Sequence, residues 1–294
     1  MRIAITTPTG HIGSVVADQL VESGHKVTLL VRDASRVQHL VERGAKVAVG
    51  TLTDKGFVRE ATVKMDALFW LTPGDPASQH LRRDQNHLGE HVAAAVNANR
   101  IVRVVNLSSI GAQHDSGLGP ISGLHDVEEL LNQTGAYVTH VRAASFYENY
   151  LLQAGGIAQA GCVFYALPPD MYLPQIATRD IGLWIADRLL DEEWRERPIV
   201  ELHGPERLTM AEAAAAIGRG IGRAVQHVEV SEEDERQGML AVGLGPSFAE
   251  AVVEMHAGFR AGLVQTPDPR ATVVRTQTTF EEFAATVMRP AVMA

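Results

Sequence analysis

Through the first 150 residues, short apolar runs alternate with segments whose apolar positions recur every three or four residues. Ile3–Thr7 reads as a strand. Ile12, Val16 and Leu20 then fall at spacing four, and Gly24 ends that helix. Lys26–Val31 is apolar and β-branched, hence a second strand. Val37, Leu40 and Val41 mark a helix closed by Gly44, and Ala45–Val49 is strand three. Ala67–Leu71 is strand four, and a longer helix carries Leu88, Val92 and Val96. Ile101–Leu107 is strand five. Val127, Leu130 and Leu131 mark a helix ended by Gly135, and Tyr137–Val141 is strand six. Six strands separated by helices predict a parallel sheet covered on both faces, with right-handed crossovers. The expected fold class is α/β, a doubly wound Rossmann-type sheet over residues 1–150.

Residues 151–294 follow a different rhythm, with fewer strands and irregular glycine and proline spacing. Ile181, Trp184, Ile185 and Leu189 give an amphipathic helix near 180–191, expected to pack back on the first half. Thr209-x-x-Glu212 and Thr279-x-x-Glu282 read as capping boxes. Phe248, Val252, Met255 and Phe259 mark another helix. This half is expected to be a smaller mixed substrate-binding region closing over the sheet. The glycine-rich stretch 111–123 is the expected mobile active-site loop.

Composition narrows the class. The 294 residues are 46% hydrophobic and 21% charged, enough apolar material for a sizeable core. The formal net charge of -9 argues against a nucleic-acid partner, which normally needs a basic face. Arginine outnumbers lysine 22 to 4 without a polybasic cluster. No apolar stretch approaches a bilayer span, and no signal-peptide pattern precedes Ile3-Ala4-Ile5, so a cytoplasmic protein is expected. The lone cysteine, Cys162, allows no intrachain disulfide and is expected to be a buried, inert thiol.

Candidate chemistry begins at Thr7-Pro8-Thr9-Gly10-His11-Ile12-Gly13, between the first strand and the first helix. Glycine lets the backbone approach a pyrophosphate, and the helix N-terminus offers N–H groups and the positive end of its dipole. Thr7 occupies the first glycine position of the usual G-x-x-G-x-x-G spacing. Strand two ends in Val31, followed by Arg32, with Arg36 one turn on. A guanidinium holds a 2′-phosphate in bidentate fashion, which favours NADP(H). Asp33 lies near the separation expected for a ribose-binding carboxylate and keeps NAD(H) open.

These features, taken in order, resemble the NmrA-like family of atypical short-chain dehydrogenase/reductases. Thr9-Gly10-His11-Ile12-Gly13 resembles its T-G-x-x-G loop, and Leu29-Leu30-Val31-Arg32-Asp33 its strand-two ending. Leu71-Thr72-Pro73, Asn106-Leu107-Ser108-Ser109-Ile110-Gly111 and Phe146-Tyr147-Glu148-Asn149 resemble three further segments. Thr178-Arg179-Asp180-Ile181-Gly182 and Leu202-His203-Gly204-Pro205-Glu206 resemble later ones. The resemblance implies an NAD(P) site along the carboxyl ends of the strands. It carries binding roles to Thr9 through Ile12, Arg32, Thr51 and Leu52, Leu71 through Pro73, and Ser108. Thr51 stands where the family usually has an aspartate.

The Tyr-x-x-x-Lys pair of ordinary short-chain dehydrogenases is absent. Aligned on Val127-Glu128, the tyrosine position is Ile121 and the lysine position is His125. His125 is the candidate acid/base, or a ribose ligand, since imidazole titrates near neutral pH. His114 is a second candidate. Tyr147 either presents a hydroxyl or stacking face to substrate or is a core aromatic, and Trp70 and Phe146 would also suit a flat substrate. The expected activity is NAD(P)H-dependent reduction of a quinone or an aromatic, polyketide-like carbonyl, since the cofactor carries the chemistry. The alternative is a non-catalytic NAD(P) redox sensor acting on a protein partner. A homodimer is left open. His87-Leu88-Gly89-Glu90-His91 matches a zinc pattern, but with no third ligand in sight no metal is expected.

Overall fold

The computed structural model describes residues 1–293. The apolar run Ile3–Thr6 lies in strand β1 (Arg2–Thr6), and helix α1 (His11–Glu22) follows, burying Ile12, Val16 and Leu20. Next come β2 (Lys26–Val31), a single 3₁₀ turn, α2 (Gln38–Glu42), β3 (Lys46–Val49), α3 (Lys55–Ala61) and β4 (Ala67–Leu71). The first half ends with α4 (Leu81–Asn99), β5 (Arg103–Ser109), α5 (Pro120–Asn132) and β6 (Tyr137–Ala143).

The chain continues through β7 (Ser145–Phe146), a 3₁₀ segment, α6 (Ala154–Ala160), β8 (Cys162–Tyr165), β9 (Gln175–Ile176) and α7 (Thr178–Leu190). β10 (Ile199–His203), α8 (Met210–Ile221), β11 (Gln226–Glu229), α9 (Glu232–Ala241) and α10 (Pro246–Arg260) follow. β12 (Thr272–Arg275), α11 (Phe280–Phe283) and α12 (Arg289–Met293) close it. Both expected capping boxes form, Thr209 with Glu212 and Thr279 with Glu282.

Eight parallel strands form one sheet in the order β12-β10-β6-β5-β4-β1-β2-β3. The six expected strands are all present. Two more, β10 and β12, come from the second half and extend the sheet beyond β6. The order reverses between β1 and β4, which opens a crevice at their carboxyl ends, the usual ligand site of such sheets.

Side-chain alternation builds a core on each face. Ile3, Ile5, Phe69 and Val105 pack with Val16, Leu20, Ile181 and Ile185 on the α1/α7 face. Ala4, Leu68, Trp70 and Val104 pack with Val58, Leu88, Val92 and Val127 on the other. Phe69 and Trp70 are therefore both core residues. α7 lies directly against α1, because Gly182 has no Cβ to collide with Val15, 2.7 Å from where one would sit. The rest of the second half forms a cap: β8 pairs with β11, and Tyr147, Tyr150, Phe280 and Phe283 stack in its core.

Two sequence expectations, on the stretch 111–123 and on Cys162, are adjusted. The stretch 111–123 is packed at both ends and exposed only at its tip, Asp115 to Gly117. Its last residues form the first turn of α5, and Leu118 is fully buried against Gly258 of α10. The helix expected from Phe248, Val252, Met255 and Phe259 is present as α10; its buried stripe runs through Ala249, Val253, His256 and Phe259, with Phe248, Val252 and Met255 at its edge. Cys162 is part-exposed as the first residue of β8, its Sγ 3.5 Å from the Ala160 carbonyl.

Candidate functional site

The loop between β1 and α1 sits at the mouth of the crevice. The first intrahelical bond is Ser14 N–H to the Gly10 carbonyl, 3.0 Å. The N–H groups of His11, Ile12 and Gly13 stand ahead of that ladder, and no side chain caps the helix. An uncapped N-terminus of this kind is suited to an anion. A Cβ on Gly13 would lie 2.1 Å from the Thr7 carbonyl, so only glycine lets helix and strand meet this closely. A Cβ on Gly10 would meet nothing nearer than 3.5 Å, so its absence keeps the exposed side of the loop open. Thr9 is half-buried and His11 exposed on the same turn.

The neighbouring strand ends supply the rest. The Thr6 hydroxyl staples β1 to β4, donating to the Phe69 carbonyl and accepting from Leu71 N–H. The Thr72 hydroxyl accepts the Trp70 indole N–H at 2.9 Å, which ties down the exit of β4. Leu71 and Pro73 are partly exposed there. Ser108, near the end of β5, is 3% exposed, and its Oγ has no hydrogen-bond partner. Thr7 Oγ1 is likewise buried and unpartnered.

Beyond β2, Arg32 and Arg36 are both exposed and make no hydrogen bond or ion pair among the described residues. Asp33 is engaged otherwise. Its carboxylate accepts from Ser35 N–H and Oγ–H, which holds its pKa below the ordinary value. Thr51 is exposed and shares a 2.9 Å hydrogen bond with Thr53, while the Leu52 carbonyl meets His91 Nδ1 at 3.0 Å. His91 is thereby oriented toward the backbone while His87 is exposed. No group of three or more His, Cys, Asp or Glu side chains suited to a metal occurs among the described residues.

The candidate acid/base residues separate sharply. His125 is half-buried on α5, and its Nδ1 lies 2.9 Å from the Ala112 carbonyl. A carbonyl only accepts, so Nδ1 carries the proton and Nε2 is left for a ligand. His114 is turned away, its Nε2 on the Leu263 carbonyl. Tyr147 is 1% exposed and stacks on Phe280 with centroids 4.2 Å apart. Burial raises its pKa, so the phenol stays neutral, and its packing removes it from substrate. Trp70 is also fully buried, because both faces of the sheet are covered; only Phe146 of the three expected aromatics is partly exposed.

Sequence reading missed the groups that hold these parts in place. Glu148 accepts from Thr178 N–H and Oγ1–H and so caps α7. Arg142, buried on β6, binds Glu128 of α5 through both carboxylate oxygens and Asp268 at 2.8 Å, and reaches Gln113 at 3.4 Å. Burial opposes its charge, and the two carboxylates more than restore it. For Arg142 the signal was an arginine inside the largely apolar run 138–144; Glu148 stood in the 146–149 segment without its capping role being read from it.

The sequence pattern of the NmrA-like family matches residues 1–284. The chain is 30% identical over 286 residues to the NAD(P)H azoreductase of Xenophilus azovorans, covering 96% of each chain. It is 25% identical over 262 residues to quinone oxidoreductase 2 of Escherichia coli, covering 88% of each. Among solved structures, the triphenylmethane reductase of Citrobacter sp. superposes with a TM-score of 0.81 at 17% identity over the full length of both, a likeness of fold alone. With the match spanning the sheet, the phosphate loop and most of the cap, the chain belongs to the NmrA-like family.

Proposed function

We propose that this protein is an NAD(P)H-dependent oxidoreductase, preferring NADP(H), that reduces a quinone or another flat conjugated acceptor. The carrying observation is the contrast after β2: Arg32 is exposed and free, while Asp33 already has one oxygen, Oδ1, accepting twice from Ser35. A free guanidinium suits a 2′-phosphate, and a carboxylate with one oxygen tied to its own turn is less well disposed toward a ribose hydroxyl pair. His11, Ile12 and Gly13 offer N–H groups to the diphosphate, and Arg36 adds a second positive charge. Leu71 through Pro73 and Ser108 line the path toward the nicotinamide end.

When bound, the cofactor supplies hydride to the acceptor. Besides the hydride, reduction of a quinone to a hydroquinone takes up one proton. His125, its Nδ1–H held by the Ala112 carbonyl, would donate that proton from Nε2 and be left as the neutral imidazole. The absence of a phenol at Ile121 fits an acceptor whose reduction asks little of the protein. The names of the azoreductase and quinone oxidoreductase relatives support the same acceptor class.

Steady-state NADPH oxidation across a panel of quinones and azo dyes tests the reading. Turnover with at least one acceptor is expected. Tight NADPH binding with no turnover on any acceptor overturns the enzymatic reading in favour of a redox sensor.

A further inference from the structure

Two properties of Thr7 are unexplained by the fold. Its φ is +50°, in the left-handed region. For a β-branched residue that is a true outlier, because two heavy atoms on Cβ crowd the carbonyl. Lys64 and Arg100 share a positive φ, but both are unbranched, and Arg100 merely closes α4. Thr7 Oγ1 is also buried without a partner, although the hydroxyl of its neighbour Thr6 is used twice. The loop cannot relax away from this. The Thr7 carbonyl accepts Gly10 N–H at 3.1 Å and lies 2.1 Å from where a Cβ on Gly13 would sit. A glycine would hold the same backbone without strain and leave no orphaned hydroxyl.

We propose that the Thr7 hydroxyl is a ligand for the diphosphate of the bound dinucleotide, a contact that a glycine at this position cannot make. This rests on the reading of the β1–α1 loop as the dinucleotide site. Thr7 is half-buried, and one step about its Cα–Cβ bond exchanges methyl and hydroxyl. The hydroxyl then donates to an anion seated on the N–H groups of His11, Ile12 and Gly13. The strained backbone is retained because glycine would remove the donor.

Binding of NADPH and of NADH by wild type, Thr7→Gly and Thr7→Ser, followed by calorimetry, together with thermal melting of the ligand-free proteins, tests this. Thr7→Gly is expected to melt about 2 °C higher, since relief of strain outweighs the added freedom of the unfolded chain. Its Kd is expected to rise about tenfold for both dinucleotides, which share the diphosphate. Thr7→Ser keeps the hydroxyl and is expected to bind within about twofold of wild type. Thr7→Gly binding as tightly as wild type, or tighter, overturns the assignment. So does a serine variant as weak as the glycine one, which would make the methyl the operative group. A wild type that binds neither dinucleotide overturns the reading of the loop itself, and the Thr7 assignment with it.

Discussion

At the scale of single residues, cofactor choice and proton transfer separate cleanly. Arg32 has no internal partner, so its removal leaves the fold alone. Arg32→Ala is expected to raise the Kd for NADPH by about 10- to 100-fold, the worth of one charge-assisted contact, and to leave that for NADH unchanged. Equal losses for both, in a fluorescence titration, would refute the 2′-phosphate role. His125→Ala is expected to lower kcat by about a hundredfold with the Kd for NADPH kept. A fully active variant removes the imidazole from the mechanism. Tyr147 shows the limit of reading a residue by type alone. Its phenol is stacked within the cap, and only the arrival of Phe280 from 133 positions along the chain makes it a core residue.

At the scale of elements, close packing and buried polar groups set the sensitivities. α1 and α7 touch at Gly182, where a Cβ would also approach the Ile12 carbonyl to 3.0 Å. Gly182→Ala is expected to destabilise by about 1–3 kcal/mol, through overpacking, and to melt several degrees lower. An unchanged melting temperature would show that the two helices can part without loss. His140 on β6 is held between Asn106 and Asn132, and burial lowers its pKa. The unfolded imidazole therefore takes up a proton as pH drops below about 6.5, while the folded one stays neutral. His140's effect is absent above that pH and destabilises the fold progressively below it. His140→Gln is expected to flatten the fall in melting temperature between about pH 7 and pH 5. A variant with the wild-type slope would assign the acid sensitivity to other groups.

At the scale of the whole molecule, the chain crosses and returns. β10 and β12 leave the cap to extend the sheet past β6, and Asp268 comes with them to meet Arg142. Residues 1–150 alone would leave the β6 edge open and one side of that buried guanidinium without its carboxylate, a strongly unfavourable state. The fragment is expected to lack cooperative thermal unfolding by circular dichroism, in contrast to the full chain. A sharp transition in the fragment would show that the first half is an independent unit. Among the described residues no helix is long and apolar enough to cross a membrane.

The first six strands of the sheet, most of their flanking helices, both capping boxes and the glycine loop after β1 were legible in the sequence, because each is written by local periodicity, by glycine geometry or by a cap three residues long; the short α3 was not. β10 and β12 were not, since strands of four and five residues carry too little pattern to distinguish sheet from loop. The packing of 111–123 was equally hidden. Glycine content speaks for conformational freedom, yet Gly119 is glycine because α10 passes so near that a Cβ would fall 1.8 Å from the Ala251 carbonyl. By itself, the sequence determined an α/β parallel sheet of the NmrA-like family and placed the glycine loop between its first strand and first helix. Only the tertiary structure decided which polar groups are free to act. It withdrew Tyr147 and His114 into internal contacts and left Arg32, His125 Nε2 and the α1 N–H groups unclaimed, because availability depends on partners that are distant along the chain.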